Sequence, residues 1–86
     1  MAVLYAKAIE CDPANVWYLV DSARALKTRN RNEAYNKDGN RGVPAGKSDL
    51  AYAKELAAKA NAAFAALANP SIDQQDKMKE LKEAGL

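Results

Sequence analysis

The stretch LAYAKELAAKANAAFAAL, residues 50–67, decides the fold class of this 86-residue chain. One set of its residues recurs at alternating spacings of three and four, which places that set on one face of an α-helix. The set is Leu50, Ala53, Ala57, Ala60, Phe64 and Leu67. Ser48 or Asp49 supplies a cap before the stretch and Asn69-Pro70 stops it, so we predict a helix over about 48–68.

Start and stop signals elsewhere predict three more helices, at about 2–11, 13–31 and 71–84. Asp12-Pro13 opens the second of these, because an N-cap residue followed by proline is a strong start signal. Its buried stripe is predicted to be Val16, Leu19, Val20, Ala23 and Leu26. Ser71, with Gln74 three residues later, forms a capping box at the start of the last helix.

Residues 36–47 contain three glycines and a proline, which predicts a glycine-rich loop between the second and third helices. Strand patterns are absent from the sequence, and short connections favour antiparallel neighbours. We therefore predict a single all-α domain over residues 1–86, a small antiparallel bundle of about four helices.

The composition limits both the core and the chemistry of the chain. Nineteen residues are alanine, whereas Leu, Ile, Val and Phe together number fifteen, so the predicted core is thin. The chain has no histidine and one cysteine, Cys11, which excludes a histidine base, a histidine-ligated metal and an intramolecular disulfide. We expect Cys11 to be a small buried hydrophobe. We predict no catalytic, cofactor-binding or metal-binding residue, and hence no enzyme.

The segment YAKAIECDPANVWY, residues 5–18, resembles the junction between two tetratricopeptide repeats. Tyr5, Ala8 and Pro13 stand where that family places an aromatic residue, a small residue and a proline. The segment 32–35 is similar to the opening of the repeat's second helix, although the match needs a one-residue deletion and the mid-helix glycine is absent. Over residues 5–35 the resemblance implies a helical hairpin that binds protein, with no catalytic residue.

Positive charge is concentrated in the middle of the chain. Residues 24–47 carry seven Lys or Arg against two acids, whereas the segments on either side are weakly acidic. We define a candidate contact strip by its basic and aromatic residues: Trp17, Arg24, Arg29, Arg31, Arg41 and Lys47. Such a strip suits stacked bases and phosphates, or an acidic partner. The alternative is that Trp17 packs against Tyr5 while the arginines are solvated.

Alanines occupy both faces of the third predicted helix. Ten of the residues from 51 to 68 are alanine, and four of them form a second face opposite the seam: Ala51, Ala58, Ala62 and Ala65. We call these four the alanine face. A face without long side chains lets another helix approach closely, so we interpret it as a protein interface. The alternative is that alanine only raises helix propensity there.

Together these features predict a non-enzymatic helical structural or adaptor subunit that docks on other protein chains, as a homo- or hetero-oligomer. A virion component is one example of such an assembly subunit. The alternative is a small nucleic-acid-binding protein that uses the basic segment 24–47. The sequence has neither a signal peptide nor a membrane-spanning run, so we expect no membrane partner and a location in the cytoplasm or in a particle assembled inside the cell.

Overall fold

The computed structural model describes residues 2–37 and 42–86, which form four α-helices and one short 3-10 helix. The α-helices are α1 (Ala2–Cys11), α2 (Val16–Arg29), α3 (Asp49–Ala65) and α4 (Ile72–Glu83). The 3-10 helix is Glu33–Asn36, and no strand occurs in the described ranges. The predicted all-α bundle is confirmed.

The start of α2 differs from the predicted one. The N-cap is Asn15, whose side-chain oxygen accepts hydrogen bonds from the backbone N–H groups of Trp17 and Tyr18, so the helix begins at Val16. Asp12 accepts a backbone bond from Asn15 and so closes a turn before the helix. The prediction of a start at Pro13 was wrong because Asn15, directly before the apolar stripe, is the cap that the fold uses.

Two helices end earlier than expected. Asn30 takes a left-handed conformation and its N–H bonds to the carbonyl of Leu26, which ends α2 at Arg29. The third helix ends at Ala65, where the N–H of Leu67 bonds back to the carbonyl of Phe64 and tightens the last turn. The helix therefore ends before Asn69, the residue whose conformation Pro70 restricts.

The cap predictions at α3 and α4 are confirmed. The hydroxyl of Ser48 accepts a bond from the N–H of Ala51, which caps α3. Ser71 and Gln74 form the complete capping box of α4. Two short sequence signatures therefore fix where both helices of the α3–α4 hairpin begin.

Helix α2 is the centre of the bundle and packs on α1, α3 and α4. All five residues of its predicted stripe are buried. Four of them, Leu19, Val20, Ala23 and Leu26, meet Ala53, Leu56, Ala57 and Ala60 of α3 and Leu81 of α4 in one core cluster. By contrast, Cys11 is exposed at the end of α1, so the expectation that it is buried was wrong. The last two residues of α1, Glu10 and Cys11, are exposed, although Ile9 directly before them packs against the core. None of the helices in residues 2–37 and 42–86 combines the length and hydrophobicity that crossing a lipid bilayer demands.

Candidate docking groove

A buried carboxylate, Asp49, ties the end of α2 to the start of α3. Its two oxygens accept a forked pair of bonds from Arg29, at 2.6 Å from Nε to Oδ2 and 2.7 Å from Nη2 to Oδ1. The backbone N–H of Arg31 and the side-chain amide of Asn36 donate to the same carboxylate, at 2.9 and 2.8 Å. We call these four residues the Asp49 network. Asp49 has no exposed surface, and every bond to it restrains the connection between the two helices.

The network also folds the start and end of the glycine-rich loop onto the core. Asn36 is fully buried and donates a second bond to the carbonyl of Lys47, while Val43 is buried in the core cluster. These two donations fix the orientation of the amide, and its oxygen then meets no donor in residues 2–37 and 42–86. Asn36 and Val43 therefore anchor the predicted loop 36–47 on the core, whereas residues 44–46 are exposed.

The electrostatics of the network follow from its geometry. The hydrogen bonds from Arg29 lower the pKa of Asp49 to about 2, and the bonds from Arg31 and Asn36 act in the same direction against the effect of burial. The same contact raises the pKa of Arg29. This charge pair is satisfied within the fold, so it acts as a structural tie and offers no free acid or base.

The residues of the contact strip lie in different environments in the structure. Arg24 pairs with Glu80 of α4 at 3.2 Å, and Lys47 pairs with Glu55 of α3 at 2.6 Å. Together with Arg29, three of the strip's cations thus face carboxylates of the same chain. The positive excess of segment 24–47 is consequently much reduced at the surface.

The remaining members of the strip are less engaged. Arg31 lies over the ring of Tyr35, with its guanidinium carbon 5.8 Å from the ring centroid, and Trp17 is half-buried. Tyr5 is half-buried on the neighbouring helix α1. Arg41 lies outside the described residues.

The alanine face is exposed along its whole length. Ala51, Ala58, Ala62 and Ala65 are all exposed, whereas Ala53, Ala57 and Ala60 of the opposite face are buried. The two faces are therefore distinct, as the spacing indicates. Whether the alanine face meets another protein stays a prediction.

A groove of about 430 Å³ lies between the carboxyl-terminal part of α3 and helix α4. Four apolar residues line it: Phe64, Met78, Leu81 and Leu86. Four polar residues complete the lining: Asn61, Gln75, Lys79 and Lys82. Beyond it, Ile72 continues the same stripe of α4 and is 76% exposed. We call the lining residues and Ile72 the docking groove.

The sequence analysis did not single out this groove, although α4 carries a signal for it. Positions 72, 75, 79, 82 and 86 follow spacings of three and four, but they hold isoleucine, glutamine, two lysines and leucine. Such a mixed stripe is typical of a solvated helix face. The groove becomes visible only when Phe64 of α3 and Met78 of α4 are placed opposite each other.

Comparisons with known proteins supply no relative, so the functional argument rests on the geometry of the structure. No protein-family model matches the chain, and no curated protein or solved structure is significantly similar to it. In residues 2–37 and 42–86, no group of three or more Cys, Asp or Glu residues could hold a metal ion.

Proposed function

We propose that this chain is a non-enzymatic helical docking subunit, which binds other protein chains in a larger assembly. The observation that carries the proposal is the docking groove, an open depression with four apolar lining residues, together with the exposed Ile72 on the same stripe of α4. Contiguous apolar surface that stays open in a folded domain is typical of interaction sites. The exposed alanine face gives α3 a second surface suited to close helix packing.

The thin core supports the same proposal. Leucines contribute four of the largest fully buried side chains among the described residues, and several other core positions are alanine. Burial of the groove by a partner would add apolar contact that this chain does not make alone. Binding to the native state also raises stability by mass action.

A nucleic-acid-binding role receives less support from the geometry. Such binding draws on cations that neutralise phosphates, and Arg24, Arg29 and Lys47 already face carboxylates within the chain. The half-buried Trp17 also offers less of its ring for base stacking than an exposed indole.

We expect the chain, purified from the cells that produce it, to elute as a complex of defined stoichiometry, with a mass well above its own 9.3 kDa. Light scattering coupled to size exclusion measures that mass. Ile72→Glu should release the partner and leave the thermal unfolding curve unchanged, because Ile72 is already in solvent. Lys or Glu at Ala58 or Ala62 tests the alanine face in the same way.

Lys7→Glu is the control, because Lys7 is exposed on α1, outside both the docking groove and the alanine face. This variant should keep the partner. A folded, strictly monomeric chain that co-purifies with nothing would contradict the proposal.

A further inference from the structure

The charge of the docking groove indicates the chemistry of its partner. Lys79 and Lys82 both line the groove, and none of its lining residues is acidic. Within residues 2–37 and 42–86 neither lysine lies within 4 Å of a carboxylate oxygen, although Lys77, on the other side of α4, pairs with both Asp21 and Glu80. The lining of the groove therefore combines four apolar residues with two lysines of α4 and no acid.

The position of α4 explains why the groove stays open. Three polar contacts tie α4 to α2: Arg24 with Glu80, Lys77 with Asp21, and Lys27 with the backbone carbonyl of Ala84. Helix α4 accordingly packs more extensively on α2 than on α3. The side of α3 and α4 that faces away from α2 is left as a trough between two roughly antiparallel helices.

A trough between two helices is a place where a further helix of a bundle could pack. The 12 residues of α4 extend over about 18 Å at 1.5 Å per residue, so a partner helix of about three turns would match its length. A helix satisfies its own backbone hydrogen bonds and presents apolar residues at spacings of three and four, which suits a groove with Phe64, Met78 and Leu86 along it.

We infer that the docking groove binds an acidic amphipathic α-helix of a partner protein, with the helix's apolar stripe on Phe64 and Met78 and its flanking carboxylates toward Lys79 and Lys82. This inference rests on the proposed docking function and adds the chemistry of the partner. Opposite charges across the edge would set orientation and exclude basic helices, since charge complementarity contributes more to specificity than to affinity.

Two stapled 15-residue helical peptides test the inference. They share a leucine stripe at spacings of three and four and differ only in their flanking residues, which are four glutamates in one and four lysines in the other. Fluorescence anisotropy at low salt should show the glutamate peptide binding at least about tenfold more tightly, with the preference shrinking as salt rises.

A charge-reversed chain provides the decisive comparison. Lys79→Glu combined with Lys82→Glu should reverse the preference in favour of the lysine peptide. Lys7→Glu combined with Lys59→Glu changes the net charge equally, at exposed positions outside the groove, and should keep the wild-type preference. The methionine methyl resonances locate the bound peptide, because the chain has only Met1 and Met78 and Met78 lines the groove.

Three results with the peptides would each overturn the inference. They are equal affinity for the two peptides, a preference that survives charge reversal, and no binding of either peptide with an unshifted Met78 resonance. Dimerisation of the chain through the groove would assign the site to a second copy and overturn it as well. A native complex that is lost in Ile72→Glu but insensitive to Lys79→Glu and Lys82→Glu would keep the docking function and reject the acidic helix.

Discussion

Replacement of Asp49 by alanine is expected to lower the free energy of unfolding by about 3 kcal/mol, because it removes the buried carboxylate that accepts two bonds from the guanidinium of Arg29 and one from the amide of Asn36. Loss of one partner of a buried ion pair costs roughly 3–5 kcal/mol. The Arg29 side chain is 26% exposed, so its charge reaches some water when Asp49 is removed and the lower end applies. Urea unfolding followed by circular dichroism measures the change.

An exposed acid on α4 provides the control for this substitution. Asp76→Ala removes the same charge from a surface position and should change stability by no more than about 0.5 kcal/mol. Equal urea midpoints for the two variants would show that the Asp49 network does not stabilise the fold more than an exposed carboxylate does. An 86-residue domain has a total stability of roughly 4–13 kcal/mol. A loss of about 3 kcal/mol is therefore a large share of that stability, and at the lower limit of the range a fraction of the variant molecules would be unfolded.

The same network predicts a pH dependence of stability. The pKa of Asp49 is about 2 in the folded chain and 3.8 in the absence of its partners. Because the folded value is the lower one, its stabilisation is fully present above the unfolded pKa and is lost as the pH falls from about 5 toward 2. The loss from this one group should be about 2 kcal/mol.

Asp49→Asn separates this group from the other carboxylates. It cannot titrate, so the difference in unfolding free energy between the wild type and this variant should shrink as the pH falls through that window. A difference that stays constant from pH 6 to pH 2 would mean that the charge of Asp49 does not stabilise the fold.

The sequence predicts much of the helical architecture because burial of apolar residues at helical spacing is a local pattern. Val16, Leu19 and Leu26 are buried as predicted, and Ser71 caps α4 as predicted. The start of α2 was misplaced because Asp12 and Asn15 are both good caps in sequence. The structure uses Asn15, whose side chain accepts from the N–H groups of Trp17 and Tyr18, while Asp12 closes the preceding turn.

The Asp49 network could not be predicted for a different reason. Asp49 is a cap candidate in sequence, but its partners Arg29 and Asn36 lie 20 and 13 residues away. Their convergence depends on the left-handed turn at Asn30 and on the burial of Val43, which are tertiary features. The docking groove also depends on tertiary contacts, because the position of α4 is determined by its contacts with α2 and not by the stripe of residues 72, 75, 79, 82 and 86.

Leu56→Ala is expected to lower the free energy of unfolding by about 3–4 kcal/mol. Leu56 has no exposed surface and lies in the core cluster where α3 packs on α2. The substitution removes three carbon atoms, at about 0.8 kcal/mol each for transfer, and adds the cost of the cavity that remains. Differential scanning calorimetry should show a fall in the unfolding midpoint well beyond 10 °C, at roughly 4–8 °C per kcal/mol for a domain of this size.

The size of this effect depends on how far the alanine-rich interior can close around the cavity. Ala53, Ala57 and Ala60 are the buried residues nearest to Leu56 along α3, and none of them has a side chain long enough to move into the space. Leu67→Ala makes the same change at a half-buried position after the end of α3, and it should cost less than half as much. If the two substitutions cost the same, leucine burial would not be what holds α3 against α2. The alanine contacts would then carry the packing themselves, and the fold would depend less on its few leucines than its composition indicates.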